Sequence, residues 1–208
     1  MDFDKNFWKT LSRPVISLAP MEDVTDTAFR ELIMRISNPD HLDVLFTEFT
    51  STDGLCHETG RENVIKRFKI SDSERHWLDK TNTKIAAQIW GTDPEKFYHS
   101  AKYITEEMNF DGIDINMGCP VKKIVKNGGC SALINTPELA KEIVLATMEG
   151  TKLPVSVKTR TGIKKHNTES WVSDLFETKP AAITLHGRTQ KDMSEIPADW
   201  EEVGKASK

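Results

Sequence analysis

A chain of 208 residues, 38% hydrophobic and 29% charged, can bury a sizeable core and is too apolar to be disordered. Its 28 basic and 32 acidic residues leave a net charge of −4, which argues against indiscriminate nucleic-acid binding by the whole surface yet allows a local basic stripe. No apolar run is long enough to cross a bilayer, the stretch MDFDKNFWKTLSRP lacks the pattern of a secretory signal, and three cysteines without a Cys-x-x-Cys pair argue against a disulfide framework or structural zinc. The expectation is a protein of the reducing cytoplasm, without membrane or metal.

In chain order, apolar runs suited to buried strands occur at 15–21, 42–49, 85–90, 112–117, 155–158 and 181–185. Between them lie helical patterns. Asp26 precedes Phe29, Leu32, Ile33 and Ile36; a helix is expected near 60–67, followed by a polar excursion through Asp72 and Ser73. Thr92-Asp93-Pro94-Glu95 supplies a cap and a first-turn proline ahead of Phe97, Ala101, Ile104 and Met108. Thr136-Pro137-Glu138 repeats that device before Leu139, Ile143 and Ala146, and Asn167 is the expected cap of a helix through Trp171, Val172 and Leu175. After Arg188 a loop through Pro197 leads to a helix starting at Trp200.

Strands alternating with helices imply a parallel sheet. Six strand–helix units are too few for a closed (β/α)8 barrel, which needs about 250 residues, so the choice is an open sheet or an incomplete TIM-type barrel lacking its last two units. The strand ends favour the barrel, because barrels draw their site residues from many successive strands. In order they carry Pro20-Met21-Glu22, Glu48, Gln88, Asn116 with Cys119, Lys158 with Arg160, and His186 with Arg188.

The densest of these is Asp114-Ile115-Asn116-Met117-Gly118-Cys119-Pro120, which delivers an amide and a thiol through a tight turn where an apolar strand ends. A polar funnel with apolar walls and a cation suits a planar redox heterocycle such as flavin, with Lys158 and Gln88 at its polar edge. Cys130 reads as a structural thiol, and His41, His57, His76, His99 and His166 have no partner pattern. No tryptophan is assigned to RNA.

Five segments, LAPMEDVTDTAFR, AAQIWG, DINMGCPVKK, VKTRTGI and TLHGRTQ, occur in this order, each at a strand end. Together they resemble the tRNA-dihydrouridine synthases, flavin enzymes that reduce uridine in transfer RNA. The resemblance runs from about residue 15 to the last residues. It implies an FMN-binding barrel with NADPH as reductant, a small helical RNA-binding domain after it, tRNA as partner, and a monomer when complete. It also implies that Pro20, Met21 and Glu22 line the flavin through the backbone, that Gln88, Lys158 and His186 contact its rings, that Asn116 and Arg160 hold the target uracil, and that Cys119 is the catalytic acid. Cys130 stands where that family often has glycine.

Reducing the C5=C6 bond of uracil takes a hydride at C6 and a proton at C5, and flavin supplies only the first. A thiol with an ordinary pKa of about 8.5 is mostly protonated at neutral pH and can give the second. A paired base cannot enter such a funnel, so the nucleotide must be extruded, at a cost of a few kcal/mol. Lys122, Lys123, Lys126, Lys164, Lys165 and Arg188 are the candidates for gripping its flanking phosphates.

Relative to that family, residues 1–208 correspond to the N-terminal part of the catalytic barrel, with the last two units and the helical RNA-binding domain absent. The loops that would hold the FMN phosphate are absent with them. Two other functions fit a flavin barrel or a piece of one. They are reduction of a free pyrimidine, as in dihydroorotate dehydrogenases, and a noncatalytic fragment.

Overall fold

The computed structural model describes residues 6–207; the first five residues of the amino-terminal stretch read above lie outside it, as does Lys208. Seven strands form one sheet: β1 (Ser17–Leu18), β2 (Val44–Phe46), β3 (Thr50–Ser51), β4 (Lys84–Trp90), β5 (Gly112–Met117), β6 (Val155–Arg160) and β7 (Ala182–His186). All pairings are parallel, in the order β1-β2-β4-β5-β6-β7, with β3 beside the end of β4. A doubly wound sheet reverses its order at a switch point; here the order never reverses, which is the winding of a (β/α)8-type barrel. The barrel is incomplete, since among the described residues β1 pairs only with β2 and β7 only with β6.

The helices are α1 (Thr27–Ile36), α2 (Thr52–Cys56), α3 (Arg61–Val64), α4 (Asp72–Thr81), α5 (Pro94–Glu107), α6 (Lys122–Lys126), α7 (Pro137–Glu149), α8 (Thr168–Phe176) and α9 (Trp200–Lys205). Asp26 caps α1 by accepting from the Phe29 amide at 2.8 Å, and Asp93 caps α5 through Glu95 at 3.0 Å. The caps expected at Thr136 and Asn167 do not form, although helices start beside both. The Thr136 hydroxyl instead reaches back to the Leu133 carbonyl at 3.5 Å.

Two apolar runs are shorter as strands than their sequence suggests. The first contributes only Ser17–Leu18. The second breaks after Phe46, where the Thr47 hydroxyl accepts from the Gln88 amide at 3.0 Å and takes the place of a ladder carbonyl. The polar excursion at Asp72 is a helix, α4, capped by the Ser71 hydroxyl on the Glu74 amide at 3.0 Å. It is tied to α1 by a fully buried ion pair, Arg30 Nε to Glu74 Oε1 at 2.6 Å.

Strand alternation gives the sheet two chemically different faces. Ile85, Ala87 and Ile89, then Ile113, Ile115 and Met117, then Val155 and Val157 pack against helical residues such as Phe97, Ile104, Ile143 and Val144. The intervening positions face the other way. At the amino end that second face is apolar, with Val44, Phe46 and Ala86 clustered with Phe7. A 3-10 turn at Phe7–Lys9 brings the Phe7 ring so close that a side-chain carbon on Gly112 would lie 3.1 Å from it. At the carboxyl end the same face carries Gln88, Asp114, Asn116, Ser156, Lys158 and Arg160.

Candidate active site

Register aligns these polar residues. Gln88 lies opposite Asp114, Asp114 opposite Ser156, Asn116 opposite Lys158, and Arg160 opposite His186. Asn116 Oδ1 accepts from the backbone amides of Gly118 and Cys119, each at 3.0 Å, and so shapes the turn that presents the thiol. Its Nδ2 donates to Gln88 Oε1 at 3.1 Å. Gln88 Nε2 donates in turn to Asp114 Oδ2 at 2.6 Å, and Ser156 Oγ donates to Asp114 Oδ1 at 2.6 Å. The Cys119 backbone thus rests on a chain of three side chains, Asn116, Gln88 and Asp114, whose terminal carboxyl is buried and held from its far side by Ser156. Burial raises the Asp114 pKa to about 6, against the lowering effect of hydrogen bonds from Gln88 and Ser156 and of the Lys158 charge.

Gln88, at 0% exposure, presents no surface to a ligand, and its link to the Cys119 turn is the hydrogen bond from Asn116. Lys158 makes no hydrogen bond or ion pair among the described residues, and burial lowers its pKa while Asp114 opposes that shift. Arg160 spends Nε on the Gly118 carbonyl at 2.6 Å, and NH1 on the carbonyls of Thr189 and Met193 at 3.0 and 2.8 Å. It therefore stitches the Cys119 turn to the loop after β7, with NH2 left over. His186 has a pKa lowered to about 4 by burial and by Arg160, Lys158 and Arg188, so it is neutral at pH 7. Its Nε2 lies 2.9 Å from Arg188 NH1 and accepts from it.

Cys119 is partly exposed. A hydrogen bond from the Cys130 thiol, helped by the Val121 backbone amide and the Arg160 charge, lowers its pKa to about 7 against burial and the Glu22 carboxylate. Cys130 is fully buried, and its contact with Cys119 and its burial push its own pKa well up.

Pro20 is partly buried, and Met21 and Glu22 are exposed. Glu22 lies at the rim, 3.1 Å from Arg67 NH1, a nitrogen that also approaches Glu48 at 3.8 Å. The exposed Lys122, Lys123 and Lys126 fall on and around α6, just past Cys119, and Lys164 and Lys165 are exposed in the loop after β6. Among the described residues no cluster of His, Cys, Asp and Glu is placed to hold a metal, and no helix is long and apolar enough to cross a membrane.

Asp114, Ser156 and Arg67 were not singled out from the sequence. Asp114 had a visible signal, since it stands two residues before Asn116 on a strand and must share its face. Arg67 had none.

Residues 17–207 match the family described as dihydrouridine synthase (Dus). A probable tRNA-dihydrouridine synthase of Staphylococcus epidermidis is 44% identical over 198 residues, covering 95% of this chain and 57% of its own length. The probable tRNA-dihydrouridine synthase 2 of Bacillus subtilis is 39% identical over 205 residues, covering 98% and 59%. The chain therefore spans a little over half the length of the curated relatives it matches. Among solved structures, a truncated 3-deoxy-D-arabino-heptulosonate 7-phosphate synthase from Thermotoga maritima aligns over 93% of this chain and 59% of its own at TM-score 0.47 and 15% identity, too remote a likeness to carry a conclusion. On the family match and these two relatives, the chain belongs to the dihydrouridine synthase family.

Proposed function

We propose that this chain is the amino-terminal part of the catalytic barrel of an enzyme that reduces the C5=C6 bond of uridine in transfer RNA, with Cys119 as the proton donor. The observation that carries the proposal is the thiol itself. It is partly exposed at the carboxyl end of a parallel sheet, on a turn fixed by Asn116, with a pKa of about 7. A general acid works best when its pKa lies near the working pH.

The residues present fit an FMN ring. Lys158 is half-buried with unused donors, and its amino group there calls for an electron-rich partner. Lys158 and neutral His186 would face the ring, Pro20, Met21 and Glu22 would line it from the rim, and Gln88 would steady the site from beneath. FMN, recharged by NADPH, would supply the hydride to C6. Cys119 would give C5 its proton, while Asn116 and the spare NH2 of Arg160 would orient the uracil. Lys122, Lys123, Lys126, Lys164, Lys165 and Arg188 would hold the phosphates of an extruded nucleotide.

The test is the whole protein that contains this chain, incubated with unmodified tRNA, FMN and NADPH, with dihydrouridine read by mass spectrometry. Product is expected in tRNA and not from free uridine. Cys119→Ala is expected to lower turnover by roughly 10²-fold or more, in the range a positioned acid contributes, while flavin absorbance is retained. Full activity of the variant would remove Cys119 from the acid role, and turnover of the free base would favour the free-pyrimidine alternative. Activity carried by the acid should fall as pH rises through about 7, where the thiol loses its proton.

A further inference from the structure

Two of the three cysteines meet, and the proton-donor role uses only one of them. The chain leaves β5 through Cys119, makes the short helix α6, turns at Gly128 with φ +81°, and returns to place Cys130 beside Cys119. The return is fastened, because the Ser131 hydroxyl donates to the Cys119 carbonyl at 2.8 Å and the Ser131 amide to the same oxygen at 3.3 Å. Cys130 itself sits at φ 52°, a left-handed conformation that a residue with a side chain rarely adopts. With its neighbour Ser131 bound to the Cys119 carbonyl, the fully buried Cys130 thiol lies close enough to the partly exposed Cys119 thiol for each to shift the titration of the other. Cys56 is remote from this pair, its sulfur lying 3.6 Å from the Lys96 carbonyl.

We propose that Cys119 and Cys130 form a peroxide-sensitive dithiol, in which Cys119 is the reacting sulfur and Cys130 the resolving one, closing to an intrachain disulfide. The exposures set the order of events, since only Cys119 can be reached from solvent. Its thiolate attacks a hydroperoxide oxygen, so that an S–O bond forms, the O–O bond breaks, and the departing oxygen leaves as water after taking a proton. The sulfur is thereby oxidised by two electrons to the sulfenic acid. The Cys130 sulfur then attacks Cys119 Sγ, forming the S–S bond and breaking the S–O bond, and the hydroxyl leaves with the Cys130 proton as a second water. The balance is two thiols and one peroxide to one disulfide and two waters, and thiol reductants reverse it. The low thiol pKa of Cys119 supplies the reactive thiolate at neutral pH. The α6 segment between the cysteines is exposed and short, so it can absorb the closing of the two sulfurs from contact to a bond of about 2.05 Å.

The pairing is independent of what the protein reduces; its consequence, reversible removal of the proton donor, rests on the function proposed above. The test treats the whole protein, without substrate, with one equivalent of hydrogen peroxide. Of Cys56, Cys119 and Cys130, two should be lost to thiol titration, with a mass decrease of two hydrogens and a tryptic crosslink joining the peptides of Cys119 and Cys130. Dithiothreitol should restore both. In Cys130→Ser, Cys119 should stop at the sulfenic acid, trapped by dimedone, and the mass should rise by one oxygen. The proposal is overturned if wild-type Cys119 is trapped by dimedone while Cys130 stays free, or if Cys56 replaces either partner. Should the disulfide form while dihydrouridine synthesis is unaffected, the pairing stands and the role of Cys119 as acid falls.

Discussion

Cys119 owes its acidity to a neighbour that a sequence reading leaves as an inert buried thiol. The donor is Cys130, and it acts by stabilising negative charge on Cys119 sulfur. Cys130→Ala should therefore move the Cys119 pKa upward from about 7 toward the ordinary thiol value of about 8.5, because the anion loses its hydrogen bond. Following alkylation of the Cys119 peptide by iodoacetamide across pH would show the rate profile displaced to higher pH; an unmoved profile would assign the shift to Arg160 and the Val121 amide. Asp114 gives a second pH-dependent expectation. Its folded pKa is raised to about 6, above the unfolded value of about 3.9, so the proton binds the folded state more tightly. Its contribution is complete below about pH 4 and is lost as pH rises through about 6. Between those values the stability difference between Asp114→Asn and wild type should shift in favour of the variant, by up to about 3 kcal/mol, read from denaturant melts at pH 4 and pH 7. A constant difference would contradict the raised pKa.

The longer strands were legible at the level of elements because each carries an apolar run, buried throughout in β5, almost throughout in β4 and half-buried in β7. The 112–117 run is β5 to the residue, and 85–90 and 181–185 are each within one residue of β4 and β7. The α4 helix was not legible. Half of its side chains are charged and it buries only Glu74 and Leu78, so hydrophobic periodicity is faint, and its one local signal is the Ser71-x-x-Glu74 spacing at its start. What holds it is a tertiary ion pair that no window of sequence displays. Glu74→Ala should cost about 3–5 kcal/mol in chemical denaturation, since it leaves the Arg30 guanidinium buried without its carboxylate. A loss below 1 kcal/mol would mean that the carbonyls of Thr25 and Lys69, which also accept from Arg30, suffice. Of the site, the strand-end residues were legible through their order, but the Ser156–Asp114–Gln88–Asn116 relay was not, since it needs the register of three strands.

Across the whole molecule, the amino end of the strands is closed by grease and the carboxyl end opens to polar groups, which confines chemistry to one end of the sheet. Phe7 is the plug. It comes from outside the strand–helix alternation, and nothing in its local sequence announces a role in the sheet. Phe7→Ala should destabilise the fold by about 3–5 kcal/mol through the cavity it leaves against Val44, Phe46 and Ala86, while the Cys119 alkylation profile stays put. A thermal melt with little change would place the stability of that end elsewhere.

The uninterrupted order of the strands also bears on how the protein is made. On emerging from the ribosome, β2 and each strand from β4 on find a hydrogen-bonding neighbour already synthesised, while β3 waits only for β4, the strand that follows it. Assembly can therefore keep pace with synthesis, vectorially from β1 to β7, with one raw strand edge exposed at any moment at the growing end.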